Sequence, residues 1–275
     1  MVGGPPSAVA VIGLTLSLGL VAVALAAGLV RPGDPLRPVG SPLQPPSATF
    51  PMGTDDLGRD VLAAVVHGAR TSLAIGGTVA LASALLGSLI GGLAGYAGGP
   101  TDDLLMRLTE LFQVVPRFFL ALVVAALFGS SVPVVTLLLA LTFWPATARI
   151  VRAQVLSLRE REFVVAARAL GAREARILLR HVLPNALAGV VVSAALQVGA
   201  AILVEASLAF LGLGDRRLPS WGFMLSTAQP FLRTAPWLAL GPGAALVLTV
   251  LAVNLTADAL NEQLNPRLRT RRRSA

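Results

Sequence analysis

RAQVLSLREREFVVAARALGAREARILLRHVLP, residues 152–184, sets seven arginines and three glutamates between stretches that carry almost no charge. Ala and Leu give it helix propensity, Gly171 interrupts the pattern, and Pro184 restarts the chain ahead of the next apolar run. A polar helical segment flanked in this way reads as a loop joining two membrane spans. The small residues Ala166, Ala167, Ala169 and Ala172 cluster around Gly171, with arginines on either side. Such a surface is shallow and suits a partner's groove. It equally suits an amphipathic helix held on anionic lipid through its arginines, and the pattern fits both.

Working outward, uncharged runs cover residues 1–30, 71–101 and 118–148. A span needs about 20 apolar residues at about 1.5 Å each to cross about 30 Å of hydrocarbon. Six transmembrane helices follow: 9–30, Ser72 to Gly95, 105–128, 132–151, 186–206 and 236–257. The third accepts Arg107, Glu110 and Arg117, because 118–148 is broken at Gly129, Ser130, Ser131 and Pro133 and is too short for two spans. The expected organisation is an N-terminal helix (1–30), an external linker with an interfacial helix (31–70), a five-helix core (71–258) with its loop at 152–184, and a basic tail (259–275). The composition agrees, with 55% hydrophobic and 13% charged residues in 275 and a mean hydropathy of +0.77, where a soluble domain is about 25% charged.

Loops on the cytoplasmic side carry the excess of basic residues. With both termini inside, 15 of the 22 arginines fall on the inner side. Ala24 and Ala26 would also fit a signal-peptide cleavage site, but the start is not cationic and the run is too long, so a retained anchor is expected. Residues 31–50 contain six prolines and read as an extended connector. After it, Thr54 or Asp55 could cap a helix with Leu57, Val61, Leu62, Val65, Val66 and Ala69 on one face, lying at the outer interface. Asp55, Asp56, Arg59 and Asp60 read as a capped, solvated helix start in preference to a binding site. His67 lacks neighbours at metal-ligand spacing, so no metal site is expected. Gly87, Gly91, Gly95 and Gly99 recur every fourth residue and predict a groove for a second helix.

Several functions are excluded or disfavoured. All basic residues are Arg, so no Walker lysine or Schiff-base amine exists, and the chain has no P-loop of its own. It has no Cys, and neither an H-E-x-x-H nor a G-x-S-x-G motif, which argues against an intramembrane enzyme. A pI of 11.6 would suit nucleic acid, but only 5% of residues are aromatic and the arginines form no single face. A stand-alone secondary transporter would bury ionisable groups near mid-membrane, which outside the third span the sequence lacks. Glu205 lies roughly 30 Å along a helix from Pro184, near the outer boundary of span five. A carboxylate there reads either as a functional group or as an interfacial ion pair with Arg216, Arg217 or Arg70.

These strings together resemble a known family: the permease subunits of binding-protein-dependent ABC importers, in the branch serving dipeptides, oligopeptides and nickel. The resemblance rests on GTDDLGRD (53–60), GARTSL (68–73), GYAGGPTDDLLMR (95–107), EFVVAARALGA (162–172), RHVLPNA (180–186), EASLAFLGLG (205–214) and PSWG (219–222). The importer loop motif aligns at Ala166, Ala167, Gly171, Leu183 and Pro184, with Val165 and His181 standing where the family has Glu and Ile. The resemblance implies a type I importer fold in a bacterial inner membrane. It implies a coupling helix at Ala166, Ala167, Arg168, Gly171 and Ala172, with Leu183 and Pro184 leading into span five. It also implies an outer gate or docking surface at Glu205, Gly212, Gly214, Trp221 and Gly222, and an external signature at Gly53, Thr54, Asp55, Gly58, Arg59 and Asp60. The implied partners are a second permease, two ATPase subunits or domains that bind ATP and Mg, and an extracytoplasmic solute-binding protein.

Overall fold

The computed structural model describes residues 8–264. The basic tail expected beyond residue 264, with its five arginines, lies outside the described residues. The chain runs α1 (Ala8–Val30), α2 (Val61–Ala97), α3 (Gly99–Val114), α4 (Arg117–Phe128), α5 (Val132–Arg159), α6 (Glu162–Ala169), α7 (Glu174–Ile177), α8 (Leu183–Leu208), α9 (Trp221–Ala228) and α10 (Trp237–Leu264). Turns of π-helix at Leu178–Val182 and Ala209–Leu213 flank α8. Among the described residues there are no strands. Five helical units are long and apolar enough to cross a bilayer, and α3 with α4 supplies a sixth if the bent pair is one span. The all-α, six-span expectation therefore holds.

Several boundaries differ from the sequence reading. The separate interfacial helix is absent, because residues 61–97 form one helix of 37 residues. Its cap is Asp60, whose carboxylate accepts from the Leu62 and Ala63 amides at 2.9 and 3.3 Å. Thr54 and Asp55 serve the preceding turn instead. Nothing between Val61 and Ala97 breaks the helix, and Arg70, one of the partners the sequence offered to Glu205, donates instead to the Ala24 and Leu25 carbonyls near the end of α1, both at 3.0 Å. A cation there also favours the helix's negative pole.

The third span is broken. α3 and α4 meet at 72°, because Pro116 pushes Val115 into extended backbone (φ −81°, ψ 119°). α5 continues eight residues past the expected 151, to Arg159.

α2, α5 and α8 form the centre. Gly87 and Gly91 let α5 approach: a Cβ at Gly87 would stand 2.5 Å from Thr147 Cβ, and one at Gly91 would overlap the Ala148 carbonyl oxygen. At Gly95 the obstacle is the Arg152 carbonyl oxygen, 2.8 Å away. Gly99 does not continue this groove. Gly98 ends α2 with φ 67°, so Gly99 begins α3 and faces open space. Across the same seam Thr147 joins Ser83 and Ser193 at 3.2 Å each, and Gln197 Nε2 donates to Thr147 and Ser193 at 2.6 and 3.0 Å. Buried hydroxyls of this kind tie helices together where water is absent. α1 packs on α10, with Gly13 against Leu255 and Ser17 bonded to Thr256 at 2.9 Å.

Candidate functional site

The arginine-rich end of the bundle is built from α6 and α7 against the ends of α2 and α5. α6 buries Val164 and rests Ala167 on a cluster with Val151, Val155, Ile177, Leu178 and Val182. α6 closes with two bonds. Gly171 N donates to Arg168 O at 3.0 Å, and Ala172 N donates to Ala167 O at 3.1 Å. This Schellman arrangement needs a left-handed residue in its penultimate place, and Gly171 supplies it at φ 78°. Gly171 is thus a fixed corner, which turns the chain into α7.

One polar cluster clamps that corner. Arg168 donates through Nε and Nη2 to both oxygens of Glu174, at 2.8 and 3.2 Å, and the Tyr96 hydroxyl at the end of α2 donates to Glu174 as well. The Arg168 guanidinium holds the Glu174 carboxyl below its ordinary range, helped by Tyr96. Nearby, Arg152 grips Asp102 of α3 with a two-pronged pair at 2.5 and 2.6 Å, and Arg159 donates to Gly95 O at 3.0 Å. Tyr96, Glu174, Asp102 and Arg152 escaped the sequence reading as site residues. They lie up to 78 positions from their partners.

The outward face of α6 sets exposed apolar side chains beside Glu162 and Arg168. Leu170 is 88% exposed, Val165 54% and Phe163 42%, with Ala166 and Ala169 exposed between them. Four exposed apolar positions on the eight residues of α6, with Leu170 as a fifth at its C-cap, form a patch flanked by arginines that water alone does not favour. Of the residues expected here, Ala166, Arg168 and Gly171 are exposed, Ala167 and Ala172 are half-buried against the cluster, Leu183 packs at Gly92, and Pro184 opens α8. Phe163 and Leu170 are additions, legible as apolar positions on a basic helix.

At the opposite end, the α8–α9 joint is equally specific. Glu205 is buried and accepts from Ser220 Oγ at 2.8 Å, while its second oxygen has no partner among the described residues. Of the two readings of Glu205, the ion pair with Arg70, Arg216 or Arg217 is not made among the described residues. Trp221 is fully buried, its amide donating to Ser72 Oγ at 3.2 Å and its ring N–H to Val65 O at 2.9 Å. Gly222 sits directly on Ala206 and Gly214 on Phe223, whereas Gly212 (φ 89°) faces open space.

The external signature is a folded connector. Thr54 is wholly buried, donating to Ser41 O at 2.7 Å and accepting from Gln44 N at 2.8 Å. Asp55 accepts from the Leu57 and Arg59 amides; burial nevertheless raises its carboxyl above the ordinary value. Gly53 is pressed against Gln44 and Trp237, and Gly58 against Gly40. Asp60 adds an Arg31 contact at 3.6 Å, and His67 donates to Arg31 O at 2.9 Å. These residues pin the proline-rich linker to the start of α2. Between them and Arg216, Phe223 and Met224 lies a cavity of about 190 Å³.

The chain is similar to known proteins over most of its length. Residues 87–270 match the model of a family described as the binding-protein-dependent transport system inner membrane component. The chain is 38% identical over 263 residues to a dipeptide transport system permease protein of Alkalihalophilus pseudofirmus, covering 95% of this chain and 86% of that one. It is 37% identical to an oligopeptide transport system permease protein of Bacillus subtilis (82% and 74% covered). To a glutathione transport system permease protein of Pectobacterium atrosepticum it is 38% identical (82% and 75%).

Proposed function

The chain belongs to the inner membrane components of binding-protein-dependent transport systems, and on that premise we propose that it forms half of the pathway of a peptide importer and takes its motion from cytoplasmic ATPases. Dipeptide, oligopeptide and glutathione permeases among its relatives support a peptide-sized solute; a nickel or other small-solute importer would use the same machinery. The chain contributes no catalysis. ATP and Mg belong to two partner subunits or domains, a second permease completes the pathway, and an external binding protein delivers the solute. The excess of arginines on one side supports an inner-membrane topology with both termini cytoplasmic.

The observation that carries the reading is the apolar patch of α6 presented from a clamped corner. Phe163, Val165, Ala166 and Leu170 suit insertion into a groove on an ATPase. The Arg168–Glu174–Tyr96 cluster fixes the angle at which closure of that ATPase is delivered to α2 and α8. A ligand shifts an equilibrium only through differential affinity for its two states, so a loosely held handle would transmit little. At the other end, buried Glu205 cannot itself touch a docking protein; it serves the outer gate by holding α9 on α8.

The experiment is Leu170→Asp in the complete importer. Leu170 supports no internal packing, so the chain should insert normally, while solute-stimulated ATP hydrolysis and uptake should both fall at least about tenfold, the effect of burying a charge in a docking groove. Wild-type uptake by that variant sinks the assignment.

A further inference from the structure

We propose that Arg117 receives the carboxylate of the transported solute midway through the bilayer, which deepens the peptide reading above and rests on it. Arg117 opens α4 immediately after the break at Val115 and Pro116. Its guanidinium lies 4.8 Å from the centre of the Phe143 ring. Phe143 is the twelfth residue of α5, whose first residue, Val132, is tied by its amide to Asp215 at the gate end. Eleven rises of about 1.5 Å put it about 17 Å in, near the middle of a 30 Å core.

An ionisable group at that depth normally has an opposite charge. Among the described residues, no carboxylate stands within ion-pair distance of Arg117. A second donor without a partner, Gln113 Nε2, lies buried one turn before the break. The interruption also leaves the first amides of α4 without a side-chain cap. A guanidinium without a counter-ion, set beside uncapped amides, offers a place for an anion. Both sides of the break are fastened to α5, since Phe112 stacks edge-on against Trp144 with ring centres 5.3 Å apart while Arg117 rests on the adjacent Phe143.

The ring distinguishes a passing anion from a permanent one. A cation–π contact shelters a guanidinium without neutralising it, so Arg117 has a resting place when no carboxylate is present. A peptide's terminal carboxylate matches the guanidinium fork in two parallel bonds and can leave again.

The test uses the complete importer in liposomes, with its binding protein saturated, and compares a tripeptide with its C-terminal amide. Arg117→Gln should lower uptake of the free acid by about tenfold or more, the scale of one charge-assisted pair, and leave amide uptake within about twofold of wild type. Arg117→Lys keeps the charge and should raise the half-saturating concentration for the acid alone. Equal losses for acid and amide, in either variant, would mean that Arg117 pairs with the second permease, and would overturn the proposal; so would full acid uptake by Arg117→Gln. Should wild type import neither tripeptide while importing another solute, the peptide reading fails and the carboxylate site with it, an outcome distinct from the variant results.

Discussion

Replacing Gly91 by Ala puts one methyl group where α2 crosses α5. The added Cβ would overlap the Ala148 carbonyl oxygen and stand 2.9 Å from that residue's C and Cα. Carbon pairs prefer about 3.5–4.0 Å, and backbone atoms cannot rotate aside, so the two helices must part. Parting also loosens Gly87 from Thr147 and Gly95 from Arg152. Overpacking of this sort costs about 1–3 kcal/mol, and three linked contacts put this site in the upper half of that range. Ala is the better helix former by about 1 kcal/mol, which opposes the effect and obscures it in a single variant. Gly77 removes the ambiguity, because it lies in the same helix with nothing within 4 Å. Gly77→Ala should therefore gain what Gly91→Ala gains and lose nothing. The difference between them isolates the clash at about 2–3 kcal/mol, or about 4–10 °C in the temperature at which the chain leaves solution when detergent-solubilised membranes are heated. Equal melting of the two variants would refute the close-packed seam.

Two more outcomes follow from the clamp and the gate. Glu174→Gln should uncouple the importer, so that ATP is hydrolysed with less solute moved per turnover. In wild type the pair should persist across neutral pH, since a carboxyl held low loses its contribution only as pH falls through its depressed value; a wild-type ratio of uptake to hydrolysis that changes between about pH 8 and pH 6 while Glu174→Gln stays flat would contradict this. Ser220→Ala removes the hydrogen bond that Glu205 accepts and leaves a buried carboxylate bare, costing about 1–3 kcal/mol, so hydrogen exchange at the start of α9 should quicken while α6 is unchanged.

The apolar runs disclosed the spans because hydrocarbon thickness imposes a length that composition must meet. Local physics also marked Gly171, since a positive-φ corner leaves few alternatives to glycine. The break at Pro116 is equally local, since a proline restricts the residue before it and lacks an amide, but the hydropathy of 105–128 alone carries no sign of it. The partners of Arg70 were not local: a charge at a span boundary does not name its acceptors, and only the end of α1 explains where its donors go. Tyr96 with Glu174, and Asp102 with Arg152, were not legible, because each pair is made by helix packing between residues 78 and 50 positions apart. The glycine series failed at its fourth member because periodicity does not reveal where a helix stops.

α2 is a single rod of 37 residues, about 55 Å at 1.5 Å per residue. Its far tip carries the knot that fastens the linker, and its near tip carries the tyrosine hydroxyl of the clamp. A tilt of about 5° at one tip displaces the other by about 5 Å over that length. Unbroken stiffness alone would thus let a nudge below one face of the membrane register as a shift of atomic-scale consequence above the other, with no intermediate hinge to absorb it.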